Sequence, residues 1–458
     1  MKKLGLLVIG GILLLGCNHH AQSIIETDKD KKMTFKKADW IHTTDVYEVN
    51  LRQYSEEGTI NAFLKELPRL KEMGVSTLWF MPITPIAQKN KKGTLGSQYA
   101  CSDYTSVNPE FGTLDDFKNF VKKAHEMGFK VIIDWVANHT GWDHVWTKTH
   151  PEYFEKDSAT NDFKIASGMD DIIELDFKNP DLRKAMIDAM RFWITECDID
   201  GYRCDLAFWV ELDFWLEARA ELEKTKTLFW LAESDPIENP AFYQAFDACY
   251  TWTWMHKTRD FYQGSQDLSL LNSVLHQYNN VGGRDGIKLW FTTNHDENSW
   301  NGTEYEKYGD AALALAVFSC TWDGIPLIYS GQELPSRKRL QFFEKDVIDW
   351  KADYELAGFY KTLLALRKRN PALRTGDPAA TNTRINTGTG KTVLGFLRKN
   401  GVKEVLVLLN MGKEPVNGII SDEQVTGKFT EVFTSTGRDF TGDKSFALQP
   451  WAYQVFEK

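Results

Sequence analysis

Gly201-Tyr202-Arg203-Cys204-Asp205 reads as a short strand that ends on an acid. Successive side chains on a strand point to opposite faces, so Arg203 and Asp205 share one face while Tyr202 and Cys204 share the other. Two further acids hold the same kind of position: Glu233 closes Trp230-Leu231-Ala232-Glu233, and Asp296 closes Phe291-Thr292-Thr293-Asn294-His295-Asp296. Cleaving an acetal through an oxocarbenium-like transition state needs one carboxyl to protonate the leaving oxygen and a second to attack or stabilise the anomeric carbon. Three strand-end acids in a chain of alternating strand and helix signals point to glycosidic-bond chemistry at one end of a barrel.

Outward from this stretch, strand-like runs at 46–51, 77–81, 131–136, 228–232, 248–253, 287–292 and 325–329 join 201–205. They alternate with helical spacing at 60–73, 114–127, 181–195, 212–222, 268–278, 311–318 and 356–369, and with a shorter helical signal near Ala241. This alternation predicts an α/β fold, a closed (β/α)8 TIM barrel over 38–375. Residues 139–175, between the third strand and its helix, are polar and aromatic without a clear period. A loop of that length predicts an inserted subdomain over one side of the barrel mouth. After Thr375 the pattern changes to short β-like runs at 392–397, 405–409, 429–432 and 453–456, separated by Gly, Asp and Asn turns. They predict a C-terminal all-β domain, a sandwich over 376–458, whose Trp451 and Tyr453 suit packing on the barrel better than binding sugar.

A net charge of −10 with 16 Trp in 458 residues argues against nucleic acid as a partner and favours stacking on uncharged sugar rings. Lys2 and Lys3, the apolar run 4–15 and Leu14-Leu15-Gly16-Cys17 read as an export signal over 1–17. The run is too short to span a bilayer comfortably. Its end resembles a bacterial lipoprotein lipobox, which makes Cys17 the lipidated first residue of the mature chain and 18–37 a polar tether. The expected location is the cell envelope, lipid-anchored to a bacterial membrane in a periplasmic or outer-membrane position. Asn18-His19-His20 lacks an acidic cluster, which favours the periplasm-facing side. Cys101, Cys197, Cys204, Cys249 and Cys320 form no Cys-x-x-Cys pair and are expected as buried thiols.

Four motifs, in order, resemble the signatures of the α-amylase family of glycoside hydrolases, family 13 type. They are Asp134-Trp135-Val136-Ala137-Asn138-His139, the stretch Gly201 to Asp205, Leu231-Ala232-Glu233-Ser234 and Asn294-His295-Asp296. Gly96-Ser97-Gln98-Tyr99, followed by Asp103-Tyr104 and Phe111-Gly112-Thr113, resembles the family's second βα loop. The resemblance covers nearly everything after the tether. It implies a retaining hydrolase of α-1,4-glucosidic bonds in starch-like α-glucans or maltooligosaccharides, with Asp205 as nucleophile, Glu233 as acid/base and Asp296 as transition-state stabiliser. The mechanism implies a carboxyl separation of ~5 Å.

By the same resemblance Tyr99 is the aromatic platform under the cleaved sugar, and His139, Arg203 and His295 bind substrate. The residues themselves agree: a guanidinium two positions from Asp205 favours its ionised form, and desolvation after an apolar run keeps Glu233 protonated. Asp134, inside its strand, reads as a brace of the barrel interior. Asn138 and Glu174 align with positions that supply oxygens to a calcium ion in the family, and no other cofactor is expected. Phe208-Trp209 stands where many members have a Lys-His pair, a departure that touches a leaving-group contact and one calcium ligand. Open alternatives are an α-glucosidase, an α-1,6-acting or transglycosylating member of the family, and a non-catalytic membrane-tethered glycan-binding protein.

Overall fold

The computed structural model describes residues 34–264, 267–283, 285–351 and 354–458. Cys17, the export segment and most of the tether lie outside the described residues. Among the described residues, no helix is long and apolar enough to cross a membrane.

Eight strands close a parallel barrel: β1 (Val46–Val49), β2 (Thr77–Phe80), β3 (Lys130–Trp135), β4 (Gly201–Cys204), β5 (Phe229–Ala232), β6 (Ala248–Tyr250), β7 (Ile287–Trp290) and β8 (Ile325–Tyr329). They are ordered around the barrel as in the chain, and β8 returns to pair with β1 through Val46 and Leu327. Both faces of such a sheet are covered, so its strands are apolar on both sides. Val46, Trp79, Ile132, Leu231 and Leu289 fill the interior, while Tyr47, Leu78, Val131, Ile133 and Tyr202 pack outward on the helices. Gly201 starts β4 where a Cβ would sit 2.1 Å from the Phe229 carbonyl oxygen, so the close approach of β4 to β5 requires glycine.

Alternation carries the interior face upward to polar residues. Two positions beyond Ile132 stands Asp134, directly across the ladder from Arg203, and two beyond Val46 stands Glu48, across from Trp79. All three charged residues are buried.

The predicted helix at 60–73 is three pieces, Ile60–Phe63, Leu64–Glu66 and Leu67–Met73. Pro68 lacks an N–H and fits only the first turn of a helix, so a new segment starts there. The predicted strand at 248–253 ends at Tyr250, and the helix Trp252–Gln263, which the sequence pattern does not predict, follows it. In the insertion, His139–Gly141 pairs antiparallel with Ile172–Glu174.

After the barrel, the C-terminal region has eight strands where the sequence pattern predicts four. They form a six-stranded and a two-stranded sheet around a shared apolar core that includes Leu406, Phe429, Phe440 and Phe446. Trp451 packs on Tyr262 at 5.2 Å between ring centroids, and Tyr453 packs on Phe359 and Phe433. Cys101, Cys197, Cys204, Cys249 and Cys320 are free and buried.

Candidate active site

A cavity of about 370 Å³ opens at the carboxyl ends of the strands, lined by Asp205, Glu233, Asp296, Tyr99 and His139 among others. Each acid is placed by its strand. Asp205 and Glu233 follow the last residues of β4 and β5, and Asp296 follows the segment after β7. The backbone N–H of Asp205 donates to the Trp135 carbonyl and that of Glu233 to the Cys204 carbonyl, which extends the ladders to the acids themselves.

Arg203 lies beneath the two acids on β4 and β5, with no exposed surface. Its Nη1 donates to Asp205 Oδ1 at 2.9 Å and to Asp134 Oδ1 at 3.0 Å. Its Nη2 lies 2.9 Å from Glu233 Oε2 but is not aligned for a hydrogen bond with any group. The Trp79 and Tyr250 rings enclose the guanidinium at 4.9 and 5.5 Å. Burial strongly disfavours charge there, and Asp134 and Glu233 more than offset it, so Arg203 is held far above the ordinary arginine range.

Leu206, immediately after Asp205, adopts φ 39° and ψ 45°, a left-handed conformation rare for a branched side chain. Strain of this kind costs about 1–3 kcal/mol and persists where surroundings over-determine it. Here it aims the Leu206 N–H at Glu233 Oε2, 2.8 Å away.

Beneath Asp296, His295 is clamped from three sides. Its Nδ1 lies 2.5 Å from Glu48 Oε1, and its Nε2 lies 2.8 Å from the Tyr99 hydroxyl and 3.4 Å from Asp296 Oδ2. Burial opposes a charged ring, but Asp296 and Glu48 outweigh it and lift His295 to about 9. The Tyr99 hydroxyl donates to Asp134 Oδ2 at 3.0 Å, so Glu48, His295, Tyr99, Asp134, Arg203 and Asp205 form one continuous polar chain under the cavity. His139 differs: burial lowers it to about 4, and its Nε2 is buried without a hydrogen-bond partner. A neutral ring lining a cavity with an unpaired nitrogen is suited to a hydroxyl-bearing ligand.

Two expectations change here. Arg203 and His295 were expected among the sugar-binding groups, but neither lines the cavity. Both lie one layer below it and act on the lining groups Asp205, Asp296 and Tyr99. Asn138 and Glu174 do not fit a calcium site. Lys164 forms an ion pair with Glu174, and its Nζ also donates to Glu155 at 2.6 Å, so an ammonium stands where a dication would need open oxygens. Asn138 instead contacts the neighbouring His139 ring at 3.5 Å, and its carbonyl accepts from the Leu175 N–H. Among the described residues, no group of three or more His, Cys, Asp or Glu side chains is arranged to hold a metal ion.

Sequence reading missed Glu48, whose signal is an acid inside an apolar strand on the same face as Val46. It also missed the cavity walls Lys92, Asp171, Phe342 and Phe343, which carry no local signature, while Trp300, one of the aromatics near loop ends that suit outer sugar subsites, does line the cavity.

The fold and site together define a (β/α)8 barrel with a guanidinium-bridged acid cluster at its carboxyl face. The family model described as alpha amylase, catalytic domain, matches residues 21–168 and 152–353, and the chain belongs to that family. It is 26% identical over 390 residues to alpha-amylase MalA of Haloarcula japonica, covering 82% of this chain and 56% of that protein. To a cyclomaltodextrinase of a Bacillus species it is 24% identical over 385 residues, covering 78% and 66%. The chain thus spans just under two thirds or less of the length of these curated relatives. Among solved structures, the maltogenic alpha-amylase AmyB from Thermotoga neapolitana superposes with TM-score 0.83 at 30% identity, covering 91% of this chain and 99% of that one. An alpha-amylase from Lactobacillus plantarum gives 0.81 at 29% identity, with the same coverage.

Proposed function

We propose that this protein is a retaining glycoside hydrolase that cuts α-1,4-glucosidic bonds in starch-like α-glucans or maltooligosaccharides. Asp205 is the nucleophile, Glu233 the general acid and then base, and Asp296 the group that opposes the developing charge on the sugar ring. The observation that carries this reading is that Asp205 and Glu233 both line the cavity, each 2.9 Å from the one buried guanidinium of Arg203. A directed, charge-assisted hydrogen bond goes to Asp205, which favours its carboxylate, while burial favours the proton on Glu233 against the opposing Arg203 and Leu206 N–H. Burial raises both acids to about 7, so near neutral pH the pair holds fewer charges than carboxyls.

In the first half-reaction the Glu233 proton passes to the glycosidic oxygen while Asp205 attacks the anomeric carbon and the leaving chain departs. In the second, the Glu233 carboxylate takes a proton from water, which displaces Asp205 and regenerates both groups. Tyr99 supplies the ring face beneath the sugar, and neutral His139 supplies a hydrogen-bonding nitrogen. Leu14 to Cys17 support placing this activity at the cell envelope through a lipid on Cys17.

The test is release of reducing ends from soluble starch and maltooligosaccharides, with the first-formed anomer read by proton NMR. Wild type should release the α-anomer first, and Asp205→Asn and Glu233→Gln should each lose about 10⁴-fold in kcat. No release by wild type ends the hydrolase reading, and β-anomer first ends retention. When the full chain is produced in a bacterial host and the cells are fractionated, Cys17→Ala should move the activity out of the membrane pellet.

A further inference from the structure

Resting on the hydrolase reading, we propose that the protein attacks free non-reducing chain ends and not chain interiors, because the donor side of its cavity is a closed wall. Glu233 protonates the leaving oxygen, so the departing chain lies on the Glu233 side and the retained sugar extends away from it. Glu233 follows β5, which the barrel order places diametrically opposite β1. The donor side is therefore the arc flanking β1, built by the loops after β7, β8, β2 and β3.

Those four loops are joined to one another without a gap in the series. After β7, Asn298 Oδ1 accepts from the Leu340 N–H of the β8 loop at 2.8 Å, and Trp300 packs on Phe342 at 5.3 Å. The β8 loop is tied to the β2 loop by the Leu95 N–H, which donates to the Phe343 carbonyl at 3.1 Å, and by the Thr94 N–H, which donates to Glu344 at 2.9 Å. From beneath, Arg52 Nη1 donates to the Gly96 and Phe342 carbonyls at 2.9 and 3.4 Å. The last join, from the β2 loop to the insertion after β3, is Lys92, whose Nζ lies 2.7 Å from buried Asp171 and 3.0 Å from Asp170. Close backbone packing reinforces it: a Cβ on Gly141 of the insertion would fall 2.0 Å from Ala87 Cβ of the β2 loop.

Lys92, Asp171, Trp300, Phe342 and Phe343 all line the cavity itself, so this belt is its end wall. On the acceptor side Phe208, just past Asp205, is 43% exposed. At about 370 Å³ the cavity is near the low end of small-molecule pockets, about 300–1,000 Å³, which suits the terminal unit or units of a chain.

The test uses the full chain and p-nitrophenyl maltoheptaoside in two forms, one with a free non-reducing end and one with that end blocked by a 4,6-acetal. Products are separated by chromatography and identified by mass. Wild type should cut the free form, releasing short sugars from the non-reducing end, and cut the blocked form at least about tenfold more slowly. Equal rates on both, or first products centred on the middle of the chain, overturn the end wall. Cleavage of neither form overturns the hydrolase reading instead. Lys92→Ala should narrow the ratio between the two forms, whereas Lys92→Arg, which keeps the ion pair, should preserve it. A ratio unmoved by Lys92→Ala removes Lys92 as the closing residue.

Discussion

One buried guanidinium organises the acids, and the consequence is a pH dependence with a defined sign. Burial pushes Glu233 up to about 7, with Arg203 opposing and Asp205 and Asp296 adding. A general acid must be protonated, so kcat/KM of the free enzyme should fall as pH rises past about 7. Stability follows the same group. The folded value lies above the ordinary 4.5, so between 4.5 and 7 the folded protein holds a proton that the unfolded chain has released, and stability declines as pH rises through that window. Glu233→Gln removes this titration. Its melting temperature relative to wild type should climb across the window and level off beyond it, read by scanning calorimetry at several pH values. A difference that stays flat between the two values would show that Glu233 is not the buried, proton-holding acid.

Residues at strand ends were the part of the site most legible in the chain, because alternation fixes which neighbours share a face. Arg203 beside Asp205 could be read that way, and so could the inward face of Asp134. Depth within the barrel could not: whether Arg203 and His295 touch the cavity or lie under it depends on the size of Trp79 and Tyr250, from other strands, and of Tyr99, from the loop after β2. Glu48 shows the same limit, since its partner is 247 positions away.

At the scale of elements, barrel strands were legible because each is a short apolar run with fixed neighbours. The insertion was legible only as a break in rhythm. Its ordering comes from pairs that periodicity cannot reveal, among them Lys164 with Glu155 and Glu174. This ammonium replaces the charge that a calcium would supply, and the outcome is measurable. A metal that binds only the folded state at 100 times its Kd would add about 2.7 kcal/mol, several degrees in melting temperature. EDTA should instead shift the melting temperature by less than about 1 °C, and added calcium should not raise it. Lys164→Met should cost no more than about 1 kcal/mol, since this lysine is partly exposed and its pairs are screened by solvent. A drop of several degrees in EDTA, restored by calcium, would mean that the loop closes on a metal after all.

On the whole-molecule scale the question is whether the C-terminal sheets are an appendage or part of the fold. Residues 35–458 form one compact unit, and the join between barrel and sheets is apolar. Phe396 of the large sheet is fully buried and meets Trp322 at 4.8 Å and Phe318 at 6.3 Å, both from the helix and turn that lead into β8. Arg398, two residues on, donates to the Arg374 carbonyl, and Arg367 crosses to the Cys320, Gly324 and Thr44 carbonyls, which ties the last helix to the floor of the barrel. β8 pairs with β1, and β1 carries Glu48, so the join lies two elements from the site. Removing the Phe396 ring should therefore act on both parts together. Phe396→Ala should cost about 3–5 kcal/mol, the range for a large aromatic truncated in a packed core. Calorimetry should show a single transition at lower temperature, with loss of starch hydrolysis following the same curve. Two separated transitions, with hydrolysis tracking only the upper one, would make the sheets an independent domain and leave barrel closure to the barrel alone.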